Sequence, residues 1–135
     1  MALTKALRNS AIVIEKYVDL PASADTTVGV SVPAGTLIIA AGFEPSEAVP
    51  DVTTYTMDIT DGTTTFANDL NFDNTAAGTI KVGTTAGLVS AADTVDVVTT
   101  ITGSPGIISG RLFVVAVDVN ESRLQANEVD RDTLA

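Results

Sequence analysis

Two stretches towards the C-terminal end alternate with a period of two residues, and this constrains the chain more than any other feature. From Asp93 to Thr102, Val95, Val97 and Ile101 fall in phase. From Gly110 to Val119, Phe113, Val115, Val117 and Val119 share one face, while Leu112, Val114 and Ala116 share the other. Successive side chains of a strand point to opposite sides, so this spacing specifies extended backbone rather than helix. Ser104-Pro105-Gly106 between the two stretches has the shape of a turn, and the pair reads as a hairpin. One face of the return strand can line a core. The other also needs cover, for which a subunit or a chain terminus is the natural candidate.

The rest of the chain follows the same rule. Threonine occurs 20 times and valine 17 times, and β-branched side chains favour strands. Ala11 to Leu20 reads as a first strand. Val28, Val30 and Val32 alternate with Thr27, Gly29 and Ser31, and Pro33-Ala34-Gly35 turns the chain. Thr36 to Phe43 contains Leu37-Ile38-Ile39-Ala40-Ala41, apolar in both phases, which implies cover on both faces. Glu44 to Asp51 reads as a surface loop. Val52 to Ile59 places Tyr55, Met57 and Ile59 on one side, and Asp61-Gly62 then signals a two-residue type I′ hairpin into Thr63 to Phe66. Ala67 to Gly78 is polar and reads as a long loop, followed by a weaker strand from Thr79 to Val82 and a turn bounded by Gly83 and Gly87. About eight short strands separated by Gly, Pro and Asp turns predict an all-β chain: a single β-sandwich, jelly-roll-like. The expected organisation is an N-terminal arm at 1–10, a sandwich domain at 11–119 and a C-terminal tail at 120–135, the tail being a marginal helix or an extended arm.

Composition excludes several chemistries. The 135 residues include no cysteine, histidine or tryptophan, which removes thiol and imidazole catalysis, structural zinc and disulfides. Seventeen acidic against seven basic residues give a net charge of −10, and such a surface would repel nucleic acid. The apolar run Ala11 to Ile14 is too short for a signal peptide or a bilayer span, so the expectation is a soluble protein made in a cytoplasm, with no membrane partner. Charge is also segregated. Residues 1–16 carry three bases and one acid, whereas Tyr17 to Ile80 contains nine acids and no base. A basic leading arm with Lys5 and Arg8 suits docking onto an acidic neighbour; a solvated acidic surface that keeps the protein soluble is the plainer reading.

Candidate reactive groups are few. Asp69, Asn71 and Asp73 alternate as the first ligands of a calcium loop would, but Asn74 stands where glycine should, and Ile80 where a closing glutamate should. Turn residues that hydrogen-bond their own backbone explain Asn68, Asp69, Asp73 and Asn74 more simply; an irregular calcium site near Asp69 and Asp73 is the alternative. Asp58 and Asp61 flank the predicted hairpin turn without an aromatic sugar platform beyond Tyr55 and Phe66. Ser104 or Ser109 as nucleophile would need a lysine base, and only Lys5, Lys16 and Lys81 exist. No catalytic residue, cofactor or metal is expected, and the chain reads as a non-enzyme.

The start Met1-Ala2-Leu3-Thr4-Lys5-Ala6 leading into Ser10 to Leu20, the Thr27 to Val32 strand followed by Pro33-Ala34-Gly35-Thr36-Leu37-Ile38, and the Asp93 to Val119 pair together resemble the small virion structural proteins of tailed bacteriophages, most of all head decoration (cement) proteins. The resemblance is one of layout and carries no signature motif. It implies a sandwich assembled as a homotrimer on the capsid surface, where it clamps neighbouring capsid protein subunits, and it transfers no functional residue. Expected interface residues are Leu112, Val114 and Ala116 on the return strand, with Lys5 and Arg8 on the arm. The alternative is a fibre or tail module with a receptor- or carbohydrate-binding sandwich, for which the supply of stacking aromatics is poor.

Overall fold

The computed structural model describes residues 11–119. Lys5 and Arg8, and the expectations for both terminal segments, lie outside the described residues. Nine strands follow in order: β1 (Ile12–Leu20), β2 (Thr26–Val32), β3 (Thr36–Pro45), β4 (Thr54–Thr60), β5 (Thr65–Asn71), β6 (Lys81–Gly83), β7 (Gly87–Val89), β8 (Asp93–Thr102) and β9 (Ile108–Asp118).

The pairing is that of one long antiparallel ribbon rolled up. The first strand pairs the last (β1 with β9), the second the last but one (β2 with β8), β3 pairs the broken strand β6/β7, and β4 pairs β5. Rolling then lays β9 beside β3 and β8 beside β4. Two antiparallel sheets result: sheet one in the order β1-β9-β3-β6, with β7 also on β3, and sheet two in the order β2-β8-β4-β5. This is a jelly roll. Its eight ribbon positions hold nine strands because the sixth is split.

Several sequence expectations change here. Asp93 to Val119 is no hairpin: β8 and β9 lie in opposite sheets, and Ser104-Pro105-Gly106 lies in the crossing between them, with Gly103 and Gly106 at positive φ. Alternation specifies two strands but not that they pair. Val28 does not share the valine face, because a bulge between Thr27 and Val30 turns it out to 59% exposure while Val30 and Val32 stay buried. A second bulge between Ile38 and Ala40 inverts the phase of β3, so Ile38, Ala41 and Phe43 all point inwards. That inversion is why Leu37 to Ala41 is apolar in both phases. The β4–β5 turn spans four residues, not two. Only Gly62 has positive φ there, and Asp61 Oδ1 instead accepts the Thr63 and Thr64 amides at 2.9 and 2.7 Å. The chain after Ala67 continues as β5 to Asn71, and Val49, expected in a surface loop, is buried and bridges Thr75.

The core lies between the sheets. Val18, Leu20, Ile38, Phe43, Leu112 and Val114 of sheet one meet Val30, Val32, Tyr55, Met57, Ile59, Phe66, Val95 and Val97 of sheet two. Phe43 and Phe72 pack edge to face, 5.7 Å between centroids, a favoured aromatic geometry. One side of the sandwich is sealed where β6 crosses β5: a Cβ on Gly83 would come within 2.4 Å of the Ala67 Cα, and the Thr85 amide donates to the Phe66 carbonyl. On the opposite side β1 meets β2, where Lys16 Nζ donates to the Gly29 carbonyl.

Candidate interaction surface

The strand register fixes what each sheet shows to the outside. On sheet one, the residues out of phase with the core line up in rows across the strands. Leu88, Leu37 and Val117 form one row; Val13, Val115 and Ala40 form the next. Glu15, Phe113, Gly42 and Val82 follow, and Tyr17, Arg111 and Glu44 close the series. The face is apolar at one end and charged at the other. Val13 and Leu88 are 58% and 53% exposed, and Leu37, Ala40, Val115 and Val117 are half-buried.

At the charged end, Arg111 bridges two acids. Its Nη1 donates to Glu15 Oε2 at 2.8 Å and its Nε to Glu44 Oε1 at 3.3 Å. The guanidinium also lies 5.0 Å from the Phe113 ring centroid, within cation–π range. The hydrogen bond to Glu15 first, and the one to Glu44 after it, outweigh the lowering by burial and raise the pKa of Arg111 further above its ordinary range, so the guanidinium stays charged. Phe113 itself is nearly buried although it points outwards, because Gly42 beside it leaves room for the ring: a Cβ there would meet Phe113 Cζ at 2.6 Å.

Sheet two presents a different chemistry. Its outer rows pair Thr54 with Thr102, Thr56 with Thr100, Asp58 with Val98 and Thr60 with Asp96. Hydroxyls and carboxylates dominate, with no base among them.

The expected interface residues Leu112, Val114 and Ala116 face the other way. Leu112 and Val114 have no exposed surface and Ala116 almost none, so they are core and cannot meet a partner in the folded chain. Both phases of β9 are aliphatic, which hid the distinction. Arg111 was the missed signal: it shares the phase of Phe113, Val115 and Val117, and a charged residue marks the outward side. The other candidates are occupied by the backbone. Asp73 Oδ1 accepts the Val52 amide at 2.7 Å, Asn71 Oδ1 the Asp73 amide at 3.0 Å, and Asp58 Oδ1 the Asp69 amide at 2.8 Å. Asn74, with φ of 48°, fits the turn reading, whereas Asp69, with φ of 52°, lies within β5 where the register with β4 shifts. Among the described residues no group of three or more His, Cys, Asp or Glu side chains is placed to hold a metal. Ser109 Oγ donates to Asp19 Oδ1 at 2.6 Å, while Lys16 Nζ donates to the Gly29 carbonyl and Lys81 Nζ to that of Asn71.

No family model matches the chain, and no curated protein matches it. Solved structures do. A chain in the acidic stable capsid structure of Helicobacter pylori bacteriophage KHP30 superposes with a TM-score of 0.56 at 13% identity, over 80% of this chain and 91% of that one. A chain in the capsid asymmetric unit of cyanophage Pam1 gives 0.57 at 17% identity, over 80% of this chain and 84% of that one. At such identity the likeness is one of fold.

Proposed function

We propose that this chain is a non-enzymatic virion structural protein: a head decoration (cement) protein of a tailed phage that trimerises on the capsid surface and bridges neighbouring capsid protein subunits. The reading is carried by one observation. The jelly roll is matched across nearly the full length of two chains that belong to phage capsids, so the likeness is to small whole chains and not to one domain of a large protein. Fold alone does not dictate role, and the surface supports the step. Most side chains that the sequence offered for chemistry are held in hydrogen bonds within the fold, while one broad face carries exposed aliphatics suited to assembly.

On this reading the protein is made in the host cytoplasm, binds shell already assembled and acts by stoichiometry. Three copies per unit raise the effective concentration of each weak contact. The test is co-sedimentation of the purified protein with undecorated phage shells across a concentration series. Saturable binding to intact shells at a fixed ratio to capsid subunits is expected. Absence from the shell pellet, with binding to host cell envelopes instead, would overturn it in favour of a fibre or tail module that recognises a receptor.

A further inference from the structure

The self-association in that reading can be assigned to particular surfaces. A sheet edge exposes unpaired amide and carbonyl groups, and folds blunt it with bulges, glycines or short strands. Three of the edges here are blunted. β2 is bulged, and Asp96 Oδ1 accepts the Gly29 amide within the bulge at 3.2 Å. β5 shifts register twice against β4. The far edge of sheet one is broken into β6 and β7 of three residues each. β1 has nine residues, unbroken register with β9, no glycine and no proline; Glu15, Lys16 and Asp19 guard its later part, which leaves the uncharged start, Ile12 to Ile14, as the unprotected stretch of edge. At its start Ile12, in phase with the core, is nevertheless 58% exposed.

Charge selects the occupant. Between Tyr17 and Ile80 there are nine acids and no base, so two copies meeting across most of that surface would bring like charges together. The start of β1 is neutral, with Glu15 beside Lys16, and the rows through Leu37 and Val115 hold no charge at all. A basic partner would be drawn instead to sheet two, with Asp58 and Asp96 on its outer face. A second copy of this chain is the partner that the two uncharged patches fit.

We infer that the edge of β1 that no other described strand pairs, around Ile12, packs in one copy on the apolar outer face of sheet one in the next copy, around Leu37 and Leu88. An interface that joins two different patches is heterologous, and repeated rotation closes it into a ring; a trimer is such a ring. This rests on the trimer of the proposed function and adds which surfaces form it.

The experiment uses Ile12→Glu as an edge variant, Leu88→Glu as a face variant and Thr100→Glu on sheet two as a control, with mass in solution measured by light scattering. Ile12 and Leu88 are both more than half exposed, and a cooperative thermal transition checks that each variant folds. Expected are a wild type and a control at three times the 13.8 kDa chain mass, and each of the other variants as a monomer. An equal mixture of the two monomeric variants should form a dimer, because one supplies an intact edge and the other an intact face. A mixture that stays monomeric overturns the edge-on-face contact, as does a trimeric Ile12→Glu or Leu88→Glu protein, with the trimer itself intact in the latter case. A monomeric wild type overturns this inference and the trimer together, while shell co-sedimentation still reports separately on the capsid role.

Discussion

Phe113 lies against Gly42 on the outside of sheet one, directly across the β9–β3 ladder, and the ring occupies the space where a Cβ of residue 42 would stand. The pair explains how an aromatic side chain that points away from the core is nearly buried. Gly42→Ala has no free room, since the new carbon would also meet the Lys81 carbonyl at 2.6 Å. The expected cost is about 1–3 kcal/mol, typical of overpacking, read as a lower urea midpoint with unchanged m-value.

Val114 was a candidate interface residue from its sequence phase and is core in the structure. Val114→Asp therefore should not yield a folded, dissociated chain. It should unfold the domain, with a loss of at least about 3 kcal/mol from burying an unpaired carboxylate. Far-ultraviolet circular dichroism decides: a native strand spectrum with a cooperative melt in this variant would return Val114 to the surface.

Tyr55 is fully buried, and its hydroxyl has no hydrogen-bond partner among the described residues. Burial, with the negative charge of Glu47 adding to it, pushes the phenol up from 10.0 to about 12. A pKa raised by folding means that stability is fully present below the unfolded value and is lost as pH rises through the folded one. The wild type should accordingly lose stability between about pH 10 and pH 12, and Tyr55→Phe should lose less over the same range. Below pH 10, Tyr55→Phe should be unchanged or more stable by about 1 kcal/mol, because it removes an unpaired buried polar group. Chemical denaturation at pH 7, 10 and 11.5 measures both effects.

Asp61 organises the β4–β5 turn through two backbone amides. Asp61→Ala should destabilise the protein by about 1 kcal/mol, as loss of a local side-chain cap does. Asp61→Asn, which keeps the accepting oxygen, should recover most of it. Thermal midpoints of the three proteins check the order.

These positions also show what the sequence could and could not reveal. Strands were legible wherever one phase was aliphatic, as in β4 and β8, because burial of one face imposes a period of two. Partners were not, because hydrogen bonding across a ribbon leaves no mark on alternation; hence β8 and β9 read as a hairpin although they lie in opposite sheets. Bulges defeated phase directly, turning Val28 outwards and inverting β3 at Ile39. In β9 both phases are apolar from Leu112 to Val117, and the outer row is marked only at one end, by Ser109 and Arg111. The segment after Ala67 looked like loop because its outward residues are Asn and Asp, while Phe72, just past the strand, is buried.

On the proposed function the protein stabilises an assembled shell by binding it. The most direct measurement is the temperature at which undecorated phage shells rupture, taken across a series of added protein concentrations. Binding to the intact shell and not to separated subunits should raise that temperature, in proportion to the logarithm of free protein concentration once that concentration exceeds the dissociation constant. Shells that rupture at the same temperature with and without saturating bound protein would contradict the account.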